Sequence, residues 1–419
     1  MTRRRTPRRG LVLGAGGVLG SAWMIGALHA YQSLTCDDPR SFDLIIGTSA
    51  GSVVSSLLAL GVDIDTMADS ERGQYAPGTP VLDYRHLGRS RPPAPRLRMG
   101  SPRLLAAGVR HPQQLTPMVA LAALLPQGRG QLAAIGDLVT IAHDAAAVAA
   151  HAPAAVAAHN PAALAAHEPA ALAAVETAAF AAHETAAFAA LETAEPGSSA
   201  AGQQGGASWP SRLRVVAMDF DTGGRVLFGA DGAPPVALSR AVMASCAIPG
   251  WYAPVSIAGR RFIDGGTRSP TSLDLCLEQE LDEILVLAPA CAFAYDRPRH
   301  PVAVVERQLR RAATRRLTQE ITLVEATGAR VRVLCPGPAD LAVMGGNVMD
   351  LARRERVFET SLRTSAAAFA DLSRRPATPP GRSAASAPNR TAARSPAHRP
   401  GAAHGHGPTT RSDPIPRVS

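Results

Sequence analysis

Serine and aspartate, each set among glycines, are the residue types here that can do hydrolytic chemistry. Asp43-Leu44-Ile45-Ile46-Gly47-Thr48-Ser49-Ala50-Gly51-Ser52 reads as an apolar strand, a G-x-S-x-G turn and the start of a helix. That pattern is a nucleophile elbow, which presents a hydroxyl above a sheet on a strained turn. Gly47 and Gly51 suit it because side chains two residues either side of Ser49 would collide. A helix starting near Ala50 adds its positive N-terminal end. The competing role for Ser49 is a helix N-cap in a tight turn.

A serine nucleophile needs a base. Phe262-Ile263-Asp264-Gly265-Gly266 puts a carboxylate on a tight turn after a strand-like segment. Spacing alone leaves this D-G-G equally readable as a surface hairpin turn. Histidine offers no better base. Most of the 12 histidines lie in a repeat or near the C-terminus, leaving His29, His86, His111 and His300 in contexts that suggest nothing.

A third segment, Leu11-Val12-Leu13-Gly14-Ala15-Gly16-Gly17-Val18-Leu19-Gly20, is strand, glycine turn, then helix to about Tyr31. It fails the G-x-G-x-x-G dinucleotide pattern because position 19 is Leu. Arg8-Arg9 before an apolar stretch loosely resembles a twin-arginine leader. Five glycines between 11 and 30, in a turn pattern, argue against export. The third reading is an oxyanion loop at a helix N-terminus, with backbone N–H groups of Gly14, Gly16 and Gly17 as donors.

Taken together, the Gly-rich loop, G-T-S-A-G and D-G-G in this order resemble the patatin-like phospholipases. Asp219-Phe220-Asp221-Thr222-Gly223, Ala244-Ser245-Cys246-Ala247-Ile248-Pro249-Gly250 and Trp251 through Val255 add to the likeness. It spans about 11–75 and 205–350. The resemblance implies a three-layer α/β sandwich with a mainly parallel central sheet. It implies a Ser–Asp dyad, with Ser49 as nucleophile and Asp264 as base, and acyl transfer on lipid esters without a cofactor or metal. Leu19 departs from the family, which commonly has Arg or Lys there. Two other classes stay open: a nucleotide-binding α/β protein using the first loop, and a membrane-associated scaffold without catalysis.

These segments need elements to position them. Leu11–Leu13, Leu44–Ile46, Leu213–Met218, Ile284–Leu287 and Val331–Leu334 read as buried strands, and Ser52–Leu60 and Pro301–Thr327 as helices. Strand–helix alternation implies a mainly parallel sheet. Pro-, Arg- and Leu-rich residues 76–135 read either as a cap over an acyl pocket or as a plain connection.

The 419 residues thus divide into a basic N-terminal arm (1–10), one hydrolase domain (11–372) and a Pro/Ala/Arg-rich tail (373–419) too poor in large apolar side chains to fold. Ala fills 29 of the 60 positions in 141–200, within an insertion (141–204) repeating every eight residues. Its His143, His151, His159, His167 and His183 share one phase. Eight residues advance a helix by about 800°, so successive repeats drift around it and no common metal-binding face forms.

The net charge of +9 is terminal: residues 1–10 carry five Arg and no acid, and 374–419 carry eight Arg against Asp413. The body between is slightly acidic, which argues against a nucleic-acid groove. The charge fits transient contact with an anionic membrane surface. So does a basic face of Arg307, Arg310, Arg311, Arg315 and Arg316, which reads either as lipid-facing or as solvated. Cys36, Cys246, Cys276, Cys291 and Cys335 form no CxxC pair, which fits a reducing, cytoplasmic setting. Nothing in the sequence fixes an oligomeric state.

Overall fold

The computed structural model describes residues 5–74, 79, 100–110, 116–151 and 209–374. Most of the octad repeat (152–204), the tail from 375 and parts of the cap segment lie outside the described residues.

Eight strands form one sheet: β1 (Arg9–Leu13), β2 (Leu44–Thr48), β3 (Leu213–Asp219), β4 (Arg225–Phe228), β5 (Val255–Ile257), β6 (Arg260–Asp264), β7 (Glu283–Leu287) and β8 (Arg330–Leu334). The order is β5-β6-β3-β2-β1-β7-β8, with β4 also on β3. The five strands from β3 to β8 are parallel; β4, β5 and β6 are antiparallel additions.

Strand residues alternate between two cores. Leu11, Leu13, Ile45, Leu285 and Leu287 enter the larger one. Val12, Leu44, Ile46, Ile284 and Val286 enter the other. Burial on both faces explains why β1 and β2 are continuous apolar runs. The layers are therefore helix, sheet, helix, as the family resemblance implies. On the larger-core side lie α1 (Gly17–Thr35), α2 (Ala50–Ala59), α3 (Ile64–Glu71) and α6 (Ala133–His151). They are joined there by α7 (Leu238–Ser245), α9 (Pro338–Met344) and α10 (Arg354–Arg374). The long α8 (Pro301–Glu325) covers the other face through Leu317 and Val324. Two short helices, α4 (Pro102–Arg110) and α5 (Pro117–Leu124), build a third cluster around Phe220 and Ile263.

Two boundaries differ from expectation. Helix α6 crosses the start expected at 141 and continues to His151, with Ala142 buried in the core. The basic arm does not run to residue 10. Arg9 and Gly10 belong to β1, the Arg8 N–H donates to Asp282 at 2.6 Å, and Arg9 pairs with Asp37. Backbone N–H groups at the start of a strand need partners, and Asp282 and Asp43 accept those of Arg8 and Arg9.

One detail of register positions the site. Val216 pairs with Thr48 of β2 and Leu227 of β4, and Ala217 pairs with Val226 of β4 and Asp264 of β6. A strand has two edges, and β4 takes one throughout. Therefore β2 and β6 share the other edge of β3, end to end, and the residue after Thr48 meets Asp264.

Candidate active site

Ser49 sits between β2 and α2 with φ 55° and ψ −124°, a left-handed conformation strained for any residue with a Cβ. The turn is forced by packing on both sides. A Cβ at Gly51 would overlap the Leu13 carbonyl, and one at Gly47 would come within 2.6 Å of the Gly51 carbonyl. Hydrogen bonds fix the rest. The Ser49 N–H donates to Ser245 Oγ at 2.8 Å, and Ser245 Oγ donates to the Val216 carbonyl at 2.6 Å. The Ser49 carbonyl accepts from the Ser52 N–H and hydroxyl, both at 2.7 Å.

Ser49 and Asp264, 215 residues apart, meet as that register requires: Ser49 Oγ donates to Asp264 Oδ2 at 2.6 Å. Asp264 Oδ1 accepts the Gly266 N–H at 2.7 Å, and the Asp264 N–H donates to the Ala247 carbonyl at 3.0 Å. Gly265 and Gly266 form a single 3₁₀ turn behind it. Burial pushes the Asp264 carboxyl up to about 6, because the charged form loses hydration; the bonds from Ser49 and Gly266 pull the other way and only partly offset this. Of the histidine candidates, His29 lies 3.2 Å from Asp65, and His300 is the residue before α8. His86 and His111 lie outside the described residues.

The glycine loop ends at the same place, held by three carbonyls. The Gly14 N–H donates to Leu287 at 2.9 Å, Ala15 to Pro270 at 2.7 Å and Leu19 to Val348 at 3.0 Å. Gly14 thereby differs from expectation: its N–H completes the sheet towards β7 and cannot face a substrate. Gly16 and Gly17 keep N–H groups without a hydrogen-bond partner among the described residues, at the N-terminus of α1. Gly17 has φ 63°, and a Cβ there would lie 2.9 Å from the Val348 carbonyl. The side chain of Leu19 is fully buried in the core, so this position makes no surface contact.

The segment carrying Pro270 is clamped by the fully buried Glu320. Its carboxylate accepts from Ser269 Oγ at 2.6 Å, Thr271 Oγ1 at 2.8 Å and the Leu273 N–H at 3.0 Å. Burial and the neighbouring Asp274 push the Glu320 carboxyl above its ordinary range.

Beside Ser49 opens a small apolar cavity of about 40 Å³ walled by Val18, Val53, Ile135, Ile248, Tyr252 and Met349. Ile135 comes from the segment expected to be either cap or connection, and Gly130 of that segment bridges Tyr252. The basic face expected on α8 is not formed. Arg307 and Arg310 point inward, 2% and 3% exposed, and pair with Asp296 and Glu306. Arg316 pairs with Asp274 and Glu320, and Arg311 stacks over Tyr295. Among the described residues, no helix is long and apolar enough to cross a membrane.

Sequence reasoning gave no role to Ser245 or Tyr252, although both fall in segments that carry the resemblance. It had no means of finding the Leu287, Pro270 and Val348 carbonyls, since any residue supplies one.

The sequence pattern of the family described as patatin-like phospholipase matches residues 11–110 and 160–277, more than half of the chain. The chain belongs to that family. Among solved structures it is similar to the type III effector protein ExoU, at 15% identity and TM-score 0.36, covering 88% of this chain and 54% of that one. It is also similar to VipD from Legionella pneumophila, at 14% identity and TM-score 0.37, covering 87% of this chain and 67% of that one. The chain thus spans little more than half the length of ExoU. No curated protein matches.

Proposed function

We propose that this chain is a serine acyl hydrolase that cleaves fatty-acyl esters of lipids, phospholipids among them, through a Ser49–Asp264 dyad. The observation that carries this is the 2.6 Å bond from a serine hydroxyl on a strained elbow to a buried carboxylate whose proton affinity is raised. An ordinary aspartate, with a pKa of about 3.9, is a weak base at neutral pH. Raising it to about 6 brings it near the range that suits proton transfer while leaving it ionised at pH 7.

Asp264 takes the Ser49 proton as Oγ bonds to the ester carbonyl carbon. The carbonyl oxygen becomes an oxyanion held by the N–H groups of Gly16 and Gly17, at the positive end of α1. When the intermediate collapses, the alcohol leaves with the proton from Asp264, and the acyl group stays on Ser49. Water then gives a proton to Asp264 and attacks the acyl carbon. The fatty acid departs as the proton returns to Ser49. The apolar cavity suits an acyl chain, and a lipid surface is the natural partner of the substrate.

Hydrolysis of a lipid panel by wild-type and Ser49→Ala protein, followed by mass spectrometry, tests this. Release of fatty acid by the wild type alone is expected, with a fluorophosphonate probe attached at Ser49. A wild-type protein that takes no probe at Ser49 contradicts the hydrolase reading and favours a nucleotide-binding or scaffold role.

A further inference from the structure

What α8 turns to solvent in its first turns is apolar. Arg307 and Arg310 point inward, while Val302, Val305 and Leu309, with Phe293 in the loop before the helix, are between 49% and 60% exposed. At about 100° per residue the three helical positions lie within about 60° of one another. Topology sets where this patch sits. β1, β2 and β7 are parallel, so Gly14, Ser49 and Ala288 all leave the sheet at one edge. β8 is parallel to β7 and starts with Arg330 beside Glu283, at the opposite edge. α8 joins the two, so its first turns lie at the Ser49 edge. They are pinned there. Arg310 donates to the Pro289 and Cys291 carbonyls, Arg307 donates to the Gly345 carbonyl, and a Cβ on Gly346 would lie 2.7 Å from the Ala303 nitrogen. Gly346 is three residues before Met349 of the cavity wall, no more than about 11 Å along the chain.

Large apolar side chains clustered on a surface and rimmed by charge mark a docking site. The rim here is positive. Arg297, Arg299 and Arg315 are exposed and pair with no acid among the described residues. The two acids between 288 and 319, Asp296 and Glu306, are already paired with Arg307 and Arg310. A second copy of the chain would bring the same cations against these. An anionic lipid surface offers phosphates to the cations and hydrocarbon to the apolar side chains. We propose that the first turns of α8 dock on an anionic bilayer, with Phe293, Val302, Val305 and Leu309 in the headgroup–acyl boundary and Arg297, Arg299 and Arg315 on lipid phosphates. The edge that carries Ser49 then meets the membrane from which the ester is drawn. The proposal rests on the hydrolase reading of Ser49 and names the surface through which its substrate arrives.

The test is co-sedimentation of the full chain with vesicles of phosphatidylcholine and phosphatidylserine in equal parts, and of phosphatidylcholine alone. The wild type is expected to sediment with the mixed vesicles. Val305→Asp/Leu309→Asp should lower that partitioning at least about tenfold, because two apolar side chains leave the bilayer and two negative charges oppose it. Arg297→Ala/Arg299→Ala should lower it about fivefold per arginine and leave binding to phosphatidylcholine alone unchanged. Ser49→Ala should bind as the wild type does, so docking is read without catalysis. Both surface variants should melt with the wild type and hydrolyse soluble p-nitrophenyl butanoate at its rate, while their hydrolysis of vesicle lipid falls with binding. A wild type that stays in solution, or unchanged partitioning of Val305→Asp/Leu309→Asp, overturns the proposal. So does a wild-type dimer that this variant dissolves while its vesicle binding persists. If no ester is hydrolysed and Ser49 takes no fluorophosphonate, the hydrolase reading fails, and sedimentation still decides the docking.

Discussion

The two halves of the sheet build the proposed dyad in different ways. Ser49 is set by contiguous sequence: an apolar strand, a glycine on each side and a helix, with the strained φ enforced by overlap at Gly47 and Gly51. Asp264 lies in the antiparallel half and is set by register, because β6 takes up the edge of β3 where β2 stops. A local device is visible in ten residues. A register is visible only once distant strands pair.

This difference accounts for what was legible. The five parallel strands, α2 and α8 follow from buried apolar runs and helical periodicity, because the face each buries is continuous. Short β4 and β5, with four and three residues, give no such signal. Asp264 could not be told from a hairpin turn by spacing, and only the family resemblance selected it. Gly14 was misassigned because the direction of an N–H depends on whether β7 lies alongside. The α8 arginines read as a lipid-facing or solvated face because charge counts do not reveal that Arg307 and Arg310 turn inward onto Asp296 and Glu306.

Removing either half of the dyad should have the largest effect. Ser49→Ala and Asp264→Asn are each expected to lower kcat by at least about 10³, and the double variant by little more, because the two act as a unit. Steady-state hydrolysis of a chromogenic ester reads this, and full activity in Asp264→Asn would break the pairing.

Stability should then separate the local half from the distant one. Gly51→Ala drives a Cβ into the Leu13 carbonyl and is expected to cost more than about 3 kcal/mol, or to prevent folding, as read by thermal melting. Asp264→Asn should do the opposite. The Asp264 pKa is raised from 3.8 to about 6 by folding, so the folded state binds more protons between those values, and its stability falls as pH rises through them. Replacing the carboxylate should stabilise by up to roughly 3 kcal/mol at pH 8, at about 1.4 kcal/mol per pK unit. The difference should vanish towards pH 4. A melting temperature lowered at pH 8 would contradict the burial argument.

Ser245→Ala sharpens the junction between the halves. It strands the Ser49 N–H and the Val216 carbonyl, at a cost of about 1–3 kcal/mol. It should lower kcat about tenfold with KM little changed, because the hydroxyl orients the elbow without touching the substrate. Ser245→Thr should restore part of the loss.

The most direct test of the dyad is the pH dependence of Ser49 labelling by a fluorophosphonate, which reports nucleophile and base together. The rate should rise with pH around a midpoint near 6, as Asp264 loses its proton, and Asp264→Asn should abolish both the label and the titration. Labelling of Asp264→Asn at the wild-type rate, or a wild-type rate indifferent to pH between 5 and 7, would contradict the account.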